Sequence, residues 1–148
     1  MSSNTINTYL SYLEDAFIVH KALRYDVKGK KYINTPYKYY YTDVGLRNAR
    51  LNFRQQEASH IMENIIYNEL LMRGLNVDGN NQYYIQSALN LDTPEKLSQE
   101  TRSLNHIEDS LKKIIIVKDH IKPWRTEDGM IIMGVLDFLL DPNCLVSS

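Results

Sequence analysis

Cysteine is almost absent from this chain, with Cys144 the one such residue in 148. One thiol excludes an internal disulfide and a zinc site built on several cysteines, and it suits a reducing cytosol. No uninterrupted apolar run reaches about 18 residues, so no transmembrane helix is predicted. The N-terminus also lacks a basic start followed by an apolar block, so no secretory signal is predicted. These absences predict a cytoplasmic protein with no membrane segment.

Motifs for common chemistries are missing as well. No GxxxxGK[ST] phosphate-binding loop occurs, so no nucleotide site of that kind is expected. Four scattered histidines, at 20, 60, 106 and 120, lack the spacing of metal ligands. Cys144 has no base close in sequence, so we interpret it as a packing residue rather than a nucleophile. We expect no cofactor and no bound metal.

The two halves of the chain carry opposite charges, although the whole has a net charge of −1. Residues 1–54 hold nine Lys and Arg against four Asp and Glu, a net +5. Residues 55–148 hold eight against fourteen, a net −6. Such a division predicts two modules, 1–54 and 55–148, with surfaces that attract each other within one chain or between chains.

The first module reads as a helix followed by a basic hairpin. Ser3 or Asn4 is the expected cap of a helix with apolar residues at helical spacing. β-like segments follow at 16–25 and 32–33, joined by a turn at 27–31, and Pro36 is expected to end the second strand. A strand at 38–42 and a short helix capped by Asp43 or Thr42 complete it. This order matches the second half of a winged helix-turn-helix, without the helix that should precede it.

The second module is organised around a long helix. The apolar residues of 61–73 predict a helix packed on more than one side, with Gly74 as the left-handed residue that ends it and a short strand running to Val77. Glu69 falls inside the apolar arc and should meet a cation or backbone donors. Met72 is expected in the same arc.

The elements after this helix predict an α/β layer around a mixed sheet, with α+β as the alternative. Strands are expected at 83–89, 113–118 and 130–135, the second of them buried on both faces. A helix should begin at Thr93-Pro94 and a short one should cover 136–140. Residues 119–129 read as a polar loop around Trp124.

Three blocks together carry a family resemblance. They are KYYYTDVGLRN at 38–48, ENIIYNEL at 63–70 followed by Arg73-Gly74, and Tyr84-Ile85-Gln86. With the stretch from Thr5 to Phe17, they resemble the C-terminal domain of unknown function found in prokaryotic AAA-type ATPases. The resemblance covers nearly the whole chain. It implies a partial winged helix followed by a domain similar to the PD-(D/E)XK restriction-endonuclease fold, a mixed sheet flanked by helices.

The resemblance also implies which residues would carry a nuclease site, and here the chain departs from the pattern. Glu63 stands at the glutamate position, Gln86 at an acidic position and Ala88 at the lysine position. A strand bearing an aspartate would lie between Val77 and Tyr83, where the connection is too short to hold one; it was deleted or is missing from the given sequence. Because Mg²⁺ needs several carboxylate oxygens, these positions read as vestigial, and no catalytic residue and no enzyme activity are expected.

A DNA contact is an alternative role for the first module. Lys28, Lys30 and Lys31 can contact phosphates, while the helix face at Asn4, Asn7 and Thr8 can reach base edges. An ordinary solvated turn explains the same lysines. The tyrosines at 37, 39, 40 and 41 are interpreted as packing residues of a half-buried strand rather than as a base-stacking platform.

The function expected from the sequence is that of a non-catalytic accessory or interaction domain of a prokaryotic AAA-type ATPase. Its partner would be the P-loop domain of the parent protein or a second copy of the chain. A DNA-binding module acting through the basic hairpin is one alternative. A metal-dependent nuclease is the other.

Overall fold

The computed structural model describes residues 2–26, 31–54, 57–75, 83–108 and 110–146, with the backbone alone for 24–26 and 31–35. Five helices and six strands lie in these ranges. In chain order they are α1 (Ser3–Asp15), β1 (Val19–Asp26), β2 (Lys31–Tyr41), α2 (Val44–Arg50), α3 (Ala58–Met72), β3 (Tyr83–Ala88), α4 (Pro94–Asn105), β4 (Lys112–Val117), β5 (Trp124–Arg125), β6 (Ile131–Gly134) and α5 (Val135–Leu140).

The strands form two sheets. β1 and β2 make an antiparallel pair, and the larger sheet has the order β3-β4-β6-β5. β3, β4 and β6 are parallel, whereas β5 runs antiparallel to β6. The predicted α/β fold with a mixed sheet and flanking helices is therefore confirmed.

The core lies on both faces of β4. Ile114 and Ile116 pack on the face covered by α3 and α5, and Ile115 and Val117 pack on the face covered by α4. All four side chains are at most 1% exposed. The prediction of a strand buried on both faces is confirmed, and the reason is its central position between two parallel neighbours.

α3 is the helix predicted at the centre of the chain, although it begins at Ala58 rather than at Ile61. Gly74 has φ +74 and is the left-handed residue that ends it, as expected. Met72 was expected in the buried arc and is instead 77% exposed. At about 100° per residue it points about 160° away from the buried Leu70, so it faces solvent.

Two expectations for the first module are corrected. The cap of α1 is Ser2, whose Oγ accepts a hydrogen bond from the amide of Thr5 at 3.3 Å, and Ser3 already belongs to the helix. Pro36 does not end a strand, because β2 is continuous from 31 to 41. The β1–β2 register shifts between Ala22 and Arg24, so Pro36 lies in a bulge of β2. A residue in a bulge is not required to donate a hydrogen bond to the partner strand, so a proline, which has no N–H, is tolerated there.

Other predicted elements hold, with one addition. Asp43 caps α2 through bonds to the amides of Gly45 and Leu46, and Thr93 caps α4 with Pro94 behind it. β5 lies inside the segment expected to be a loop, because Trp124 pairs with Ile132 on β6. The turn at 27–30 and the strand expected to run to Val77 lie outside the described residues. No helix in the described part of the chain is long and apolar enough to cross a membrane.

Candidate functional site

A cavity of about 410 Å³ lies beside β3, at the end of the larger sheet. Four elements contribute to it: the hairpin, α3, β3 and α4. Its lining residues are Lys38, Glu63, Tyr84, Ile85, Gln86, Ser87, Ser103 and Leu104. Two of the three positions that the resemblance singles out, Glu63 and Gln86, therefore meet around one cavity. We refer to it below as the β3 groove.

Glu63 is the charged centre of one wall of the β3 groove. Its Oε1 accepts hydrogen bonds from Lys38 Nζ and, at 2.8 Å, from Tyr40 Oη. Partial burial opposes ionisation of Glu63, but the hydrogen bonds from Lys38 and Tyr40 and the nearby positive charge outweigh it and lower the pKa of this carboxyl. The glutamate is thus held ionised, with its charge balanced by a lysine.

Gln86 and Ala88 both make contacts within the fold. Gln86 Nε2 donates to Glu100 on α4, and its Oε1 accepts from Ser103 Oγ at 2.8 Å, so both ends of the amide are engaged. Ala88 is 6% exposed and packs in the core on the α4 side. In the ranges described, no group of three or more His, Cys, Asp or Glu could hold a metal ion. The residues at these positions do not fit a hard divalent cation.

Two asparagines on α3 join the hairpin to the second module, and the sequence reasoning missed both. Asn64, 5% exposed, accepts from the Tyr41 amide at 2.8 Å and donates to the Tyr41 carbonyl at 2.7 Å. Asn68 donates to the carbonyls of Tyr41 and Thr42 at 2.9 and 3.1 Å. Because the two asparagines are four residues apart on α3, they lie on the same face of the helix. This spacing is the sequence signal that both could bond the same segment.

An aromatic stack reinforces this junction. The rings of Tyr40 and Tyr67 lie 3.9 Å apart, centroid to centroid, at an angle of 15°. Tyr40 therefore packs, as expected for the tyrosine run, and also donates to Glu63. Lys38 was not singled out, because it lies 25 positions before Glu63 and only the fold brings the two together.

Glu69 meets the cation that its position in the apolar arc predicted. Arg73 Nε donates to Glu69 Oε1 at 2.8 Å, four residues further along the helix. The arginine also donates to the carbonyls of Phe138 and Asp141 and stacks over the Phe138 ring. Burial opposes the charge on Arg73, but the bond to Glu69 prevails and the pKa of Arg73 is raised. Cys144 lies beside this cluster, buried in the core.

The residues proposed for a DNA contact are only partly described. Asn4, Asn7 and Thr8 are exposed on α1, and Thr8 Oγ1 donates to the Asn4 carbonyl at 3.0 Å. Lys28 and Lys30 lie outside the described residues, and only the backbone of Lys31, at the start of β2, is described.

Comparison with known proteins adds a family and a relative. Residues 1–57 match the family described as Domain of unknown function (DUF8612). The chain is also similar to an uncharacterized protein of Haemophilus influenzae (strain ATCC 51907 / DSM 11121 / KW20 / Rd), at 36% identity over 94% of the chain. The chain spans 38% of the length of that relative. No solved structure gives a significant match.

The alignment with this relative is longer than the part of the chain that it covers. It runs over 155 positions, whereas 94% of 148 residues is about 139. Within the aligned region, about 16 residues of the relative therefore stand opposite gaps in this chain, in one or more places.

Proposed function

We propose that this chain is a non-catalytic interaction module of a larger prokaryotic AAA-type ATPase, whose P-loop module is not among these 148 residues. The resemblance of the three sequence blocks motivates the proposal. The match of residues 1–57 to a domain of unknown function, and the greater length of the relative, are compatible with a module that works inside a longer protein. A cytoplasmic location and an incomplete winged-helix unit followed by a vestigial endonuclease-like domain belong to the same proposal.

The observation that carries the proposal is the apolar surface of the first module. No residue of α1 or α2 is buried. Contiguous exposed apolar patches mark interaction surfaces, and on α1 the rings of Tyr9 and Tyr12 meet edge to face with centroids 6.5 Å apart. Within the described residues, seven of the thirteen large apolar side chains that are exposed belong to this module: Ile6, Tyr9, Tyr12, Phe17, Leu46, Leu51 and Phe53. We name these seven the α1–α2 apolar surface.

Backbone strain at two of these positions supports the same reading. Phe17 and Phe53 both have φ of 54, in the left-handed region that bulky residues rarely adopt. Their rings are nevertheless 76% and 64% exposed. A strained backbone that presents an aromatic ring to solvent is a feature of binding sites rather than of cores.

The test measures association of the chain with itself and with a defined partner. Sedimentation velocity would be run on the chain alone and on its mixture with a separately produced polypeptide comprising the part of the Haemophilus influenzae relative that the chain does not span. We expect complex formation in one of the two samples. Phe17→Asn should weaken it, because asparagine suits a left-handed backbone and removes the apolar ring.

The matched control is Leu140→Asn, which removes an apolar side chain that is 80% exposed on α5 and does not belong to the α1–α2 apolar surface. Association should survive this change. A chain that stays monomeric and does not bind the polypeptide would contradict the proposal, as would equal loss of binding in the two variants.

DNA binding through the basic hairpin is the second candidate, and the net charge of +5 on residues 1–54 favours it. Binding of duplex DNA should then weaken steeply with salt and with Lys28, Lys30 and Lys31 changed to Ala. Changing the exposed Lys118 and Lys122 to Ala is the control for charge alone. No retention on DNA at low salt would remove this candidate.

A metal-dependent nuclease is the third reading, and the side chains of the β3 groove argue against it. Glu63 is neutralised by Lys38, and Gln86 is an uncharged amide bound to α4. Cleavage that depends on Mg²⁺ and disappears in Glu63→Gln would establish this reading and overturn the non-catalytic one.

A further inference from the structure

α1 carries an apolar stripe that the rest of the described chain leaves partly uncovered. Ile6, Tyr9, Leu10 and Leu13 follow the spacing i, i+3, i+4 and i+7, so they lie on one side of the helix. Ile6 and Tyr9 are 46% and 58% exposed, and the two leucines are half-buried. The main neighbour of α1 among the described elements is β1, which follows it directly. A helix of 13 residues is marginal in water without packing of its apolar stripe, so we expect another element to cover α1.

The spacing of this stripe reads the same in both directions along the helix, with steps of three, one and three residues. A second copy of α1 laid antiparallel to the first would therefore place its Leu13 beside Ile6 and its Leu10 beside Tyr9. The two helices would overlap over nearly their whole length, about 20 Å, and each would cover the same four side chains of the other. A contact of this kind forms around a two-fold axis, as in most homodimers.

The charges of α1 favour the antiparallel arrangement over the parallel one. Glu14 and Asp15 lie at the C-terminal end, where the helix dipole is negative, and α1 has no acidic residue in its first turn and no basic residue in its last. Both carboxylates are thus at the less favourable end of their own helix. In an antiparallel pair they lie next to the N-terminal turn of the other α1, whose partial positive charge attracts them. In a parallel pair the four carboxylates would meet and repel one another.

We propose that the α1 helices of two copies of this chain pair antiparallel, about a two-fold axis near Tyr9 and Leu10, and that this contact covers the apolar stripe. The inference rests on the proposed function, because α1 carries part of the α1–α2 apolar surface, and it names a second copy as the partner. One helix of this length offers less area than the roughly 800 Å² per partner of a standard interface. The dimer should therefore be weak and should depend on the chain concentration.

The test is sedimentation velocity of the full chain over a range of concentrations, which should show a monomer–dimer equilibrium. Tyr9→Lys and Tyr9→Glu should each weaken the dimer at least about tenfold, because position 9 of each copy lies near the two-fold axis and two like charges would meet there. An equimolar mixture of the two variants should restore the dimer, since opposite charges then meet. Asn7→Lys, on the exposed polar face of α1, is the matched control and should associate as the native chain does.

A second pair of mixtures determines the direction of the helices. In the antiparallel pair Ile6 lies beside Leu13 of the other copy, and the two Ile6 residues are about 10 Å apart along the axis. A mixture of Ile6→Glu with Leu13→Lys should therefore restore association, whereas a mixture of Ile6→Glu with Ile6→Lys should not. The reverse result would show a parallel pair and overturn the proposal.

The charged end of α1 gives an independent measurement of direction that leaves the half-buried Leu13 in place. A double variant with Glu14→Gln and Asp15→Asn should weaken an antiparallel dimer about threefold, because it removes the attraction to the N-terminal turn of the other helix. The same change would strengthen a parallel dimer by removing the repulsion between carboxylates, and that result would overturn the proposal.

The remaining outcomes separate this inference from the proposed function. A chain that stays monomeric at every concentration but binds the Haemophilus influenzae polypeptide would overturn the pairing of α1 and leave the proposed function standing. A dimer that Tyr9→Lys does not weaken would show that the copies meet at another surface, and failure of the Tyr9 mixture to restore the dimer would show that position 9 does not meet itself. Either result would overturn the pairing of α1. A chain that neither dimerises nor binds the polypeptide would contradict both proposals.

Discussion

Residues 1–54 and residues 55–148, the first and second modules of the sequence prediction, differ in how completely they bury apolar side chains. Of the twenty buried apolar residues in the described ranges, the first module contributes Val19 and Ala22 alone. The second module contains β4 and β6, whose central residues are completely or almost completely inaccessible. A three-stranded parallel arrangement with helices on both faces encloses its own core, whereas a hairpin and two short helices cannot.

The junction between the modules follows from this difference. In the described ranges the hairpin pairs with no strand of the larger sheet, and it contacts α3 through Asn64, Asn68 and the Tyr40–Tyr67 stack. Such contacts order a small module, but they leave its outer helices uncovered. The comparison therefore predicts that core changes in the second module unfold the protein, that junction changes weaken it, and that changes on α1 leave its stability nearly unaltered.

The largest effect is expected for Ile115→Ala, which truncates a side chain with no exposed area at the centre of β4. Loss of buried apolar contacts and creation of a cavity should lower the free energy of unfolding by about 2–5 kcal/mol. Urea denaturation followed by circular dichroism measures it. Ile6→Ala, at a position 46% exposed on α1, is the control and should change the free energy by less than about 0.5 kcal/mol.

A smaller effect is expected for Asn64→Ala at the junction. The change removes two hydrogen bonds and leaves the N–H of Tyr41 without its Asn64 partner, while the Tyr41 carbonyl keeps its bond from Asn68. It should lower the free energy of unfolding by about 1–3 kcal/mol. Hydrogen exchange should show faster exchange in β2 than in β4. Asn7→Ala on the exposed face of α1 should leave both quantities unchanged. Equal acceleration in both sheets would mean that the modules unfold as one unit.

Glu63→Gln should remove part of the acid sensitivity of the protein. Since the pKa of Glu63 is lowered in the folded state, its contribution to stability is complete above its ordinary pKa of about 4.3 and is lost as the pH falls through the folded value. When the pH is lowered from neutral to below the ordinary pKa of a glutamate, the melting temperature of the native chain should therefore fall more than that of the variant. Glu127→Gln, at an exposed position, is the control. Parallel pH profiles for native chain and Glu63→Gln would contradict this role.

The smallest effect on stability is expected for Phe17→Asn. The ring is 76% exposed, and asparagine is better suited to a φ of 54, so the melting temperature should stay the same or rise slightly. Association, by contrast, should weaken as proposed above. A large fall in melting temperature would show that Phe17 packs within the chain instead of serving a partner.

Local sequence patterns were sufficient to predict most of the helices and strands. Asp43, Thr93-Pro94 and Gly74 marked helix ends correctly, because caps and left-handed residues depend on a few neighbouring atoms. The prediction for Pro36 was wrong, because the effect of a proline in a strand depends on whether the partner strand needs its N–H, and the local sequence does not show this. The β5 strand was missed because two residues show no alternation, and their pairing with β6 is decided by the sheet.

In the candidate site, too, some residues were predicted from the sequence and others are known only from the fold. Glu63 and Gln86 were singled out from a sequence resemblance, and the pairing of Glu69 with a cation followed from the cost of burying a lone charge. The bonds of Lys38 and Tyr40 to Glu63, and those of Asn64 to the Tyr41 backbone, join residues from separate elements. Helix periodicity and capping act over about four residues. Contacts across tens of residues depend on chain packing, so only the folded molecule reveals them.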